Sequence, residues 1–206
     1  MRPEVAGSLW SVPADRQLTE ARRLADHGLS TLHWDMSDGR FATAGGFAPS
    51  RAAEIGALTG MRGEAHLMTA APEHEVDAWT ECCELVIVHV EAPGWRRAVE
   101  RIRRRGARAG VALSPRTSPS EVPDDIDVLC MSVPPGAAGS TFDRDALKRI
   151  AALRARSDQR RVGVDGGVTR AVAEAAADAG ADWLVVGTDL LSRDGTARWH
   201  DLLAGA

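Results

Sequence analysis

The sequence predicts an α/β fold, a single (β/α)8 TIM barrel that takes residues 1–206 as one domain. Three observations carry this. Short apolar runs alternate with amphipathic helical stretches, the apolar runs number eight, and several helices end on a glycine just before the next run. Strict alternation makes neighbouring strands parallel with right-handed crossovers, and eight units are the number that closes a barrel. An open, doubly wound sheet that binds a dinucleotide would carry G-x-G-x-x-G after its first strand, and none stands there.

The elements follow in order. The first run, residues 5–10, precedes a helix expected over 13–26, where Leu18, Ala21, Leu24 and Ala25 share a face and arginines lie opposite. His27-Gly28 stops it. The second run, 30–35, is followed by a helix over 49–59, the third, 63–68, by one over 73–82, and the fourth, 85–90, by one over 95–105. The fifth, 109–113, precedes a short helical stretch at 118–122; the sixth, 128–133, a helix over 144–155; the seventh, 161–165, a helix over 170–178; the eighth is 183–186. Gly28, Gly106 and Gly180 punctuate the ends. The arginine-rich stretch 101–105 reads as a solvated helix face. Trp199 reads as an exposed residue that packs the last helix or an interface.

Composition excludes several classes of function. The chain has 206 residues and a net charge of -4, without the basic excess that a nucleic-acid backbone attracts. Lys148 is the one lysine among 25 basic residues and falls in a helix, so a Schiff-base enzyme has no lysine at a strand end. Tyrosine is absent. Three cysteines without C-x-x-C spacing give no disulfide framework and no zinc knuckle. No apolar run suits a signal peptide or a membrane span, and the chain reads as cytoplasmic.

In a barrel the strand C-termini face the active site. The polar residues expected there are Ser8, His33 and Asp35, His66, His89 and Glu91, Ser132, Asp165, and Thr188. His33 and Asp35 are two apart in an apolar strand and therefore share a face. Two histidines and two carboxylates from the second, third and seventh strands make a mixed N/O ligand set suited to Zn, Fe or Mn. His89 is left open between a further functional residue of the site and a satisfied core or mouth histidine. Glycines adjoin this cluster: Gly136 and Gly139 after the sixth strand, Gly166-Gly167 after the seventh, Gly187 after the eighth. Loops of this kind bind phosphate through backbone N–H groups, which points to an anionic substrate.

These residues resemble the ribulose-phosphate 3-epimerase family. The family pattern His-x-Asp-x-Met-Asp-Gly-x-Phe stands here as His33-Trp34-Asp35-Met36-Ser37-Asp38-Gly39-Arg40-Phe41. Further matches are His66-Leu67-Met68, Val88-His89-Val90-Glu91, the stretch 110–117, Met131 to Gly136, and Val164 to Val168. The resemblance runs from Ser8 to Thr188. It implies a metal-dependent sugar-phosphate epimerase that inverts C3 of D-ribulose 5-phosphate to D-xylulose 5-phosphate through an enediolate. The implied ligands of a divalent metal (Zn, Fe, Mn or Co) are His33, Asp35, His66 and Asp165, with Asp35 and Asp165 the acid/base pair. Substrate and phosphate would meet Ser8, His66, Met68, Met131, Gly136, Ala137, Ala138, Gly139, Gly166, Gly167, Gly187 and Thr188. The implied partners are a phosphorylated ketose and further copies of the chain, as a dimer or hexamer, with neither nucleic acid nor membrane.

Three positions depart from the pattern. Ser37 replaces a methionine and is expected to open volume beside the substrate, Ala138 replaces a loop glycine at a cost if φ there is positive, and Pro134 replaces an Asn or Glu. The departures keep two alternatives in play: an epimerase of a related ketose phosphate such as allulose 6-phosphate, and a non-catalytic metal-binding barrel. Decarboxylases and synthases of similar barrels use Asp-x-Lys-x-x-Asp, and the segment Asp35-Met36-Ser37-Asp38 lacks that lysine.

Overall fold

A computed structural model describes residues 2–203. Its strands are β1 (Glu4–Ser8), β2 (Thr31–Ser37), β3 (Gly45–Gly46), β4 (Arg62–Met68), β5 (Leu85–His89), β6 (Arg108–Leu113), β7 (Asp127–Met131), β8 (Val162–Asp165) and β9 (Trp183–Val186). All but β3 are parallel, and β1 pairs with both β9 and β2, so the ring closes. This is the (β/α)8 barrel, and each of the eight expected runs is one of its strands.

The outer layer holds α1 (Gln17–Asp26), α2 (Pro49–Thr59), α4 (Trp95–Arg104), α5 (Asp145–Arg156) and α6 (Arg170–Asp178), with the short α3 (Val76–Thr80) and α7 (Thr188–Leu191) and a closing α8 (Gly195–Leu203). α2 shows why these boundaries are local: Pro49 opens its first turn, and Gly60 ends it at φ 70. Two expected helices are smaller than read. Residues 73–82 break into a 3-10 turn, Pro72–His74, and the five-residue α3. The stretch 118–122 is a single 3-10 turn, Pro119–Glu121, whose Ser118 hydroxyl accepts from the Ser120 N–H. With one apolar residue, Val122, it has no face to bury. The arginines of α4 are a solvated face: Arg101 pairs with Asp77 and Arg105 with Glu81.

Side-chain alternation divides the core in two. Outward residues such as Leu32, Trp34, Leu67, Val86, Val88 and Val164 pack on the helices. Inward, Ala6, Leu85, Ile87, Ala112, Leu129, Met131, Trp183 and Val185 fill the barrel. Trp183 fits because Gly163 on the next strand has no side chain: a Cβ there would clash with the indole.

β3 escaped the sequence reading because Gly45-Gly46 carries no apolar pattern. It pairs antiparallel with Met36 and Ser37. β1 stops at Ser8, opposite His33, so the last turn of β2 would otherwise present an open edge at the barrel mouth.

Candidate active site

Strand register assembles the cluster. On β2, His33 and Asp35 point inward, and Asp35 stands opposite His66 of β4; Asp165 ends β8. One ligand atom from each of these four residues lies within 4.8 Å of the other three. His33 Nε2 is 3.2 Å and His66 Nδ1 3.0 Å from Asp35 Oδ1, and His66 Nδ1 is 3.8 Å from Asp165 Oδ2. Ligands about 2.0–2.2 Å from one ion lie roughly 3.0–3.5 Å apart; the two contacts to Asp35 fall in that range and the one to Asp165 is longer, so the cluster is consistent with a divalent cation once Asp165 moves in by a few tenths of an ångström. Both histidines are fully buried, while Asp35 and Asp165 also reach the cavity.

Asp35, Asp165 and His33 are perturbed in different ways. Burial alone would raise the Asp35 carboxyl, but His33 and His66 hold it well below the usual carboxylate range. Burial and the neighbouring Asp35 charge push Asp165 up to about 6. Burial disfavours the His33 imidazolium, yet Asp35 and Glu64 outweigh it and raise its pKa well above the ordinary value. A cation at the cluster would replace that proton, since metal binding and protonation of His33 would compete for Nε2.

A second layer orients the first. His33 Nδ1 is 2.6 Å from the buried Glu64 Oε1, which leaves Nε2 for the ion. Glu64 was missed because 63–68 reads as an apolar run; a carboxylate at its inward positions, two before His66, was the available signal. Ser8 donates to Asp35 Oδ2 at 3.0 Å, so it braces a carboxylate as well as lining the cavity. His89 is buried rather than at the mouth. Its Nε2 is 2.9 Å from His66 Nε2, its Nδ1 is 3.0 Å from Glu91 Oε2, and Phe41 covers its ring at 4.6 Å.

A cavity of about 660 Å³ opens above the cluster. It is lined by Ser8, Asp35, Met68, Met131, Asp165, Gly136, Ala137, Ala138, Gly139, Gly166, Gly167, Gly187 and Thr188, so all the expected substrate residues except His66, which lies behind Asp35, meet in one space. Trp10 and Arg144 also line it; Trp10 lies at the end of the first apolar run and Arg144 at the start of the expected helix 144–155, and neither is among the expected site residues. Gly167 has φ 60, and a Cβ there would lie 2.5 Å from the Ser140 carbonyl. Two expectations change. Ala138 carries no strain, because the positive φ values of its loop belong to Gly136 and Gly139. Ser37 is buried with an unpartnered Oγ and is not among the residues that line the cavity. Trp199 is not exposed: it is fully buried, and its Nε1 donates to Asp189 Oδ2 at 2.7 Å.

A (β/α)8 barrel with a four-ligand N/O cluster and glycine loops at its strand ends defines a class, the barrel proteins that work from the C-terminal face. Residues 4–191 match the model of the ribulose-phosphate 3 epimerase family. The chain is 37% identical to the ribulose-phosphate 3-epimerase of Rhodospirillum rubrum, over 88% of this chain and 84% of the relative. It is 30% identical to that of Bacillus subtilis strain 168, over 90% of each. Among solved structures, KGPDC from Streptococcus mutans superposes with a TM-score of 0.74 at 13% identity, covering 99% of this chain and 98% of that one; at that identity the likeness is one of fold. The chain belongs to the ribulose-phosphate 3-epimerase family and is an isomerase of the epimerase type.

Proposed function

We propose that the protein inverts C3 of D-ribulose 5-phosphate to D-xylulose 5-phosphate, with Asp35 and Asp165 as the two acid/base groups and His33, Asp35, His66 and Asp165 as ligands of one divalent ion, Zn, Fe, Mn or Co. The observation that carries this reading is the pair of carboxylates: they come from β2 and β8, on either side of β1 and β9, and both line one cavity. Inversion requires a proton to leave one face of a carbon and another to arrive on the opposite face, and two carboxylates supply one carrier for each. In the metal-free protein their environments already differ, one carboxyl held down and one pushed up to about 6, and a pair of carboxylates tuned apart is what a two-carrier scheme uses. A bound divalent ion would supply Lewis-acid polarisation of the ketone, favouring the enediolate. Ser8 holds Asp35 in place. Met68 and Met131 give the cavity apolar walls that limit water near the reacting carbon. The N–H groups around Gly136, Gly139, Gly166, Gly167, Gly187 and Thr188 would take the phosphate of the ketose.

The test is turnover of the metal-loaded protein in deuterium oxide on ribulose 5-phosphate, with allulose 6-phosphate in parallel. Xylulose 5-phosphate carrying deuterium at C3 is the expected product. Preference for the hexulose would move the assignment to a related ketose phosphate, and absence of exchange on either would leave a non-catalytic metal-binding barrel. The oligomer, dimer or hexamer, is tested by light scattering of the same preparation.

A further inference from the structure

The hydrogen bonds behind His66 have one self-consistent arrangement once its Nδ1 faces the ion. Nδ1 is the nitrogen that meets Asp35 Oδ1 at 3.0 Å and Asp165 Oδ2 at 3.8 Å, so Nε2 must carry the ring proton. That N–H meets His89 Nε2 at 2.9 Å. Two ring nitrogens at that distance share one proton, so His89 accepts there and carries its own proton on Nδ1. The Nδ1–H then donates to Glu91 Oε2 at 3.0 Å. Glu91 cannot turn away, because its Oε1 accepts the Ser114 N–H at 2.8 Å. Phe41 and His66 flank the His89 ring, with centroids 4.6 and 5.0 Å away. An acceptor-only carboxylate at one end thus sets the direction of every proton in the chain.

We propose that His89 and Glu91 are positioning residues of the metal centre: through the hydrogen-bonded chain Glu91–His89–His66 they hold His66 in its Nε2–H form and present Nδ1 to the ion. The proposal rests on the metal reading of the His33, Asp35, His66 and Asp165 cluster.

Glu91→Gln tests it with little change of shape. The amide has one oxygen for two donors, the Ser114 N–H and His89 Nδ1–H. If its NH2 faces His89, the imidazole must move its proton to Nε2, against the His66 N–H. Partners of this kind are worth roughly 10–100-fold in metal affinity. Chelator competition with Co(II) should therefore show Glu91→Gln and His89→Phe binding about 10–100-fold more weakly than wild type, with altered visible bands. His89→Gln, which restores an acceptor for His66, should recover most of the affinity. Wild-type affinity and spectrum in both Glu91→Gln and His89→Phe would overturn the proposal. Nitrogen-15 NMR of the zinc-loaded wild type needs no variant: His66 protonated at Nε2 and His89 at Nδ1 is expected, and His89 protonated at Nε2 would overturn it. Failure of the wild type to bind Co(II) would overturn the metal reading itself.

Discussion

The two halves of the cavity are made of different material. On one side, the β2, β4 and β8 strand ends present side chains: four candidate ligands, braced by Ser8, Glu64 and His89, nearly all buried. On the other, the loops after β7, β8 and β9 present backbone: a Cβ would clash at Gly166 and Gly167, and Gly136 and Gly139 hold positive φ. A side-chain site is specified by residue identity and fails by substitution. A backbone site is specified by conformation and fails by adding a Cβ. The two halves should therefore break in separable ways.

The largest separation is expected from Asp165→Asn. With metal occupancy matched to wild type, kcat should fall by roughly 10²–10⁴-fold, the usual worth of a general acid/base, while substrate affinity changes little. Unchanged turnover would remove Asp165 from the proton path. Next comes His33→Ala, which should lower metal affinity by more than the roughly 10–100-fold of an outer-layer partner and leave phosphate binding intact; calorimetry with Zn and with inorganic phosphate measures both in one sample. The backbone side has its counterpart in Gly167→Ala. Its positive φ and close Ser140 carbonyl put the cost at about 1–3 kcal/mol, read as a higher KM at wild-type metal content. A loss of metal in that variant would show that the two halves are not independent.

Protons sharpen the same contrast. In the metal-free protein the folded-state pKa of Asp165 is raised, to about 6, so folding loses stability as pH rises from about 4 to 6. His33, also raised, contributes stability below its unfolded pKa and loses it as pH climbs through the higher folded value. Metal requires both groups deprotonated, so the Tm gained on adding Zn should widen with pH from 5 to 8. A gap that is constant or narrows over that range would place the ion elsewhere. The smallest effect is assigned to Ser37→Met. Ser37 is buried off the cavity wall, so the substitution should cost stability by overpacking, about 1–3 kcal/mol, and leave the ratio of kcat/KM for pentulose and hexulose phosphates nearly unchanged.

The same division explains what could be read in advance. His33, Asp35, His66 and Asp165 were legible because polar residues at inward positions of apolar strands violate the pattern around them. All eight barrel strands were legible for the converse reason, short and mainly apolar runs set between helical stretches. Glu64 obeyed the same rule, yet the run around it hid it. Contacts made at element ends left no signal: Trp10 and Arg144 sit in turns just beyond β1 and just before α5, where the runs fixed the elements but not what their ends touch, and the Gly45-Gly46 pairing has no side chains to announce it. Trp199 shows the limit of reading a terminus by composition, since its burial depends on Asp189, ten residues earlier on another element.

Ring closure has a consequence for how the chain reaches this state. The last pairing joins residues 4–7 to residues 183–186, so the barrel encloses its longest loop when it closes, and the entropy of that closure grows only as the logarithm of loop length. Such non-local pairing slows folding without weakening the product. Residues near the two ends of the described chain meet: Arg2 Nη1 donates to the Asp201 carbonyl at 3.2 Å. A short peptide bridge across that gap, with new ends opened in a turn on the opposite face, would give a circular permutant in which β9 and β1 are neighbours in sequence. Its refolding should be rate-limited by a different strand pair, while the ligand cluster, carried by strands whose mutual register is unaltered, keeps its affinity for metal.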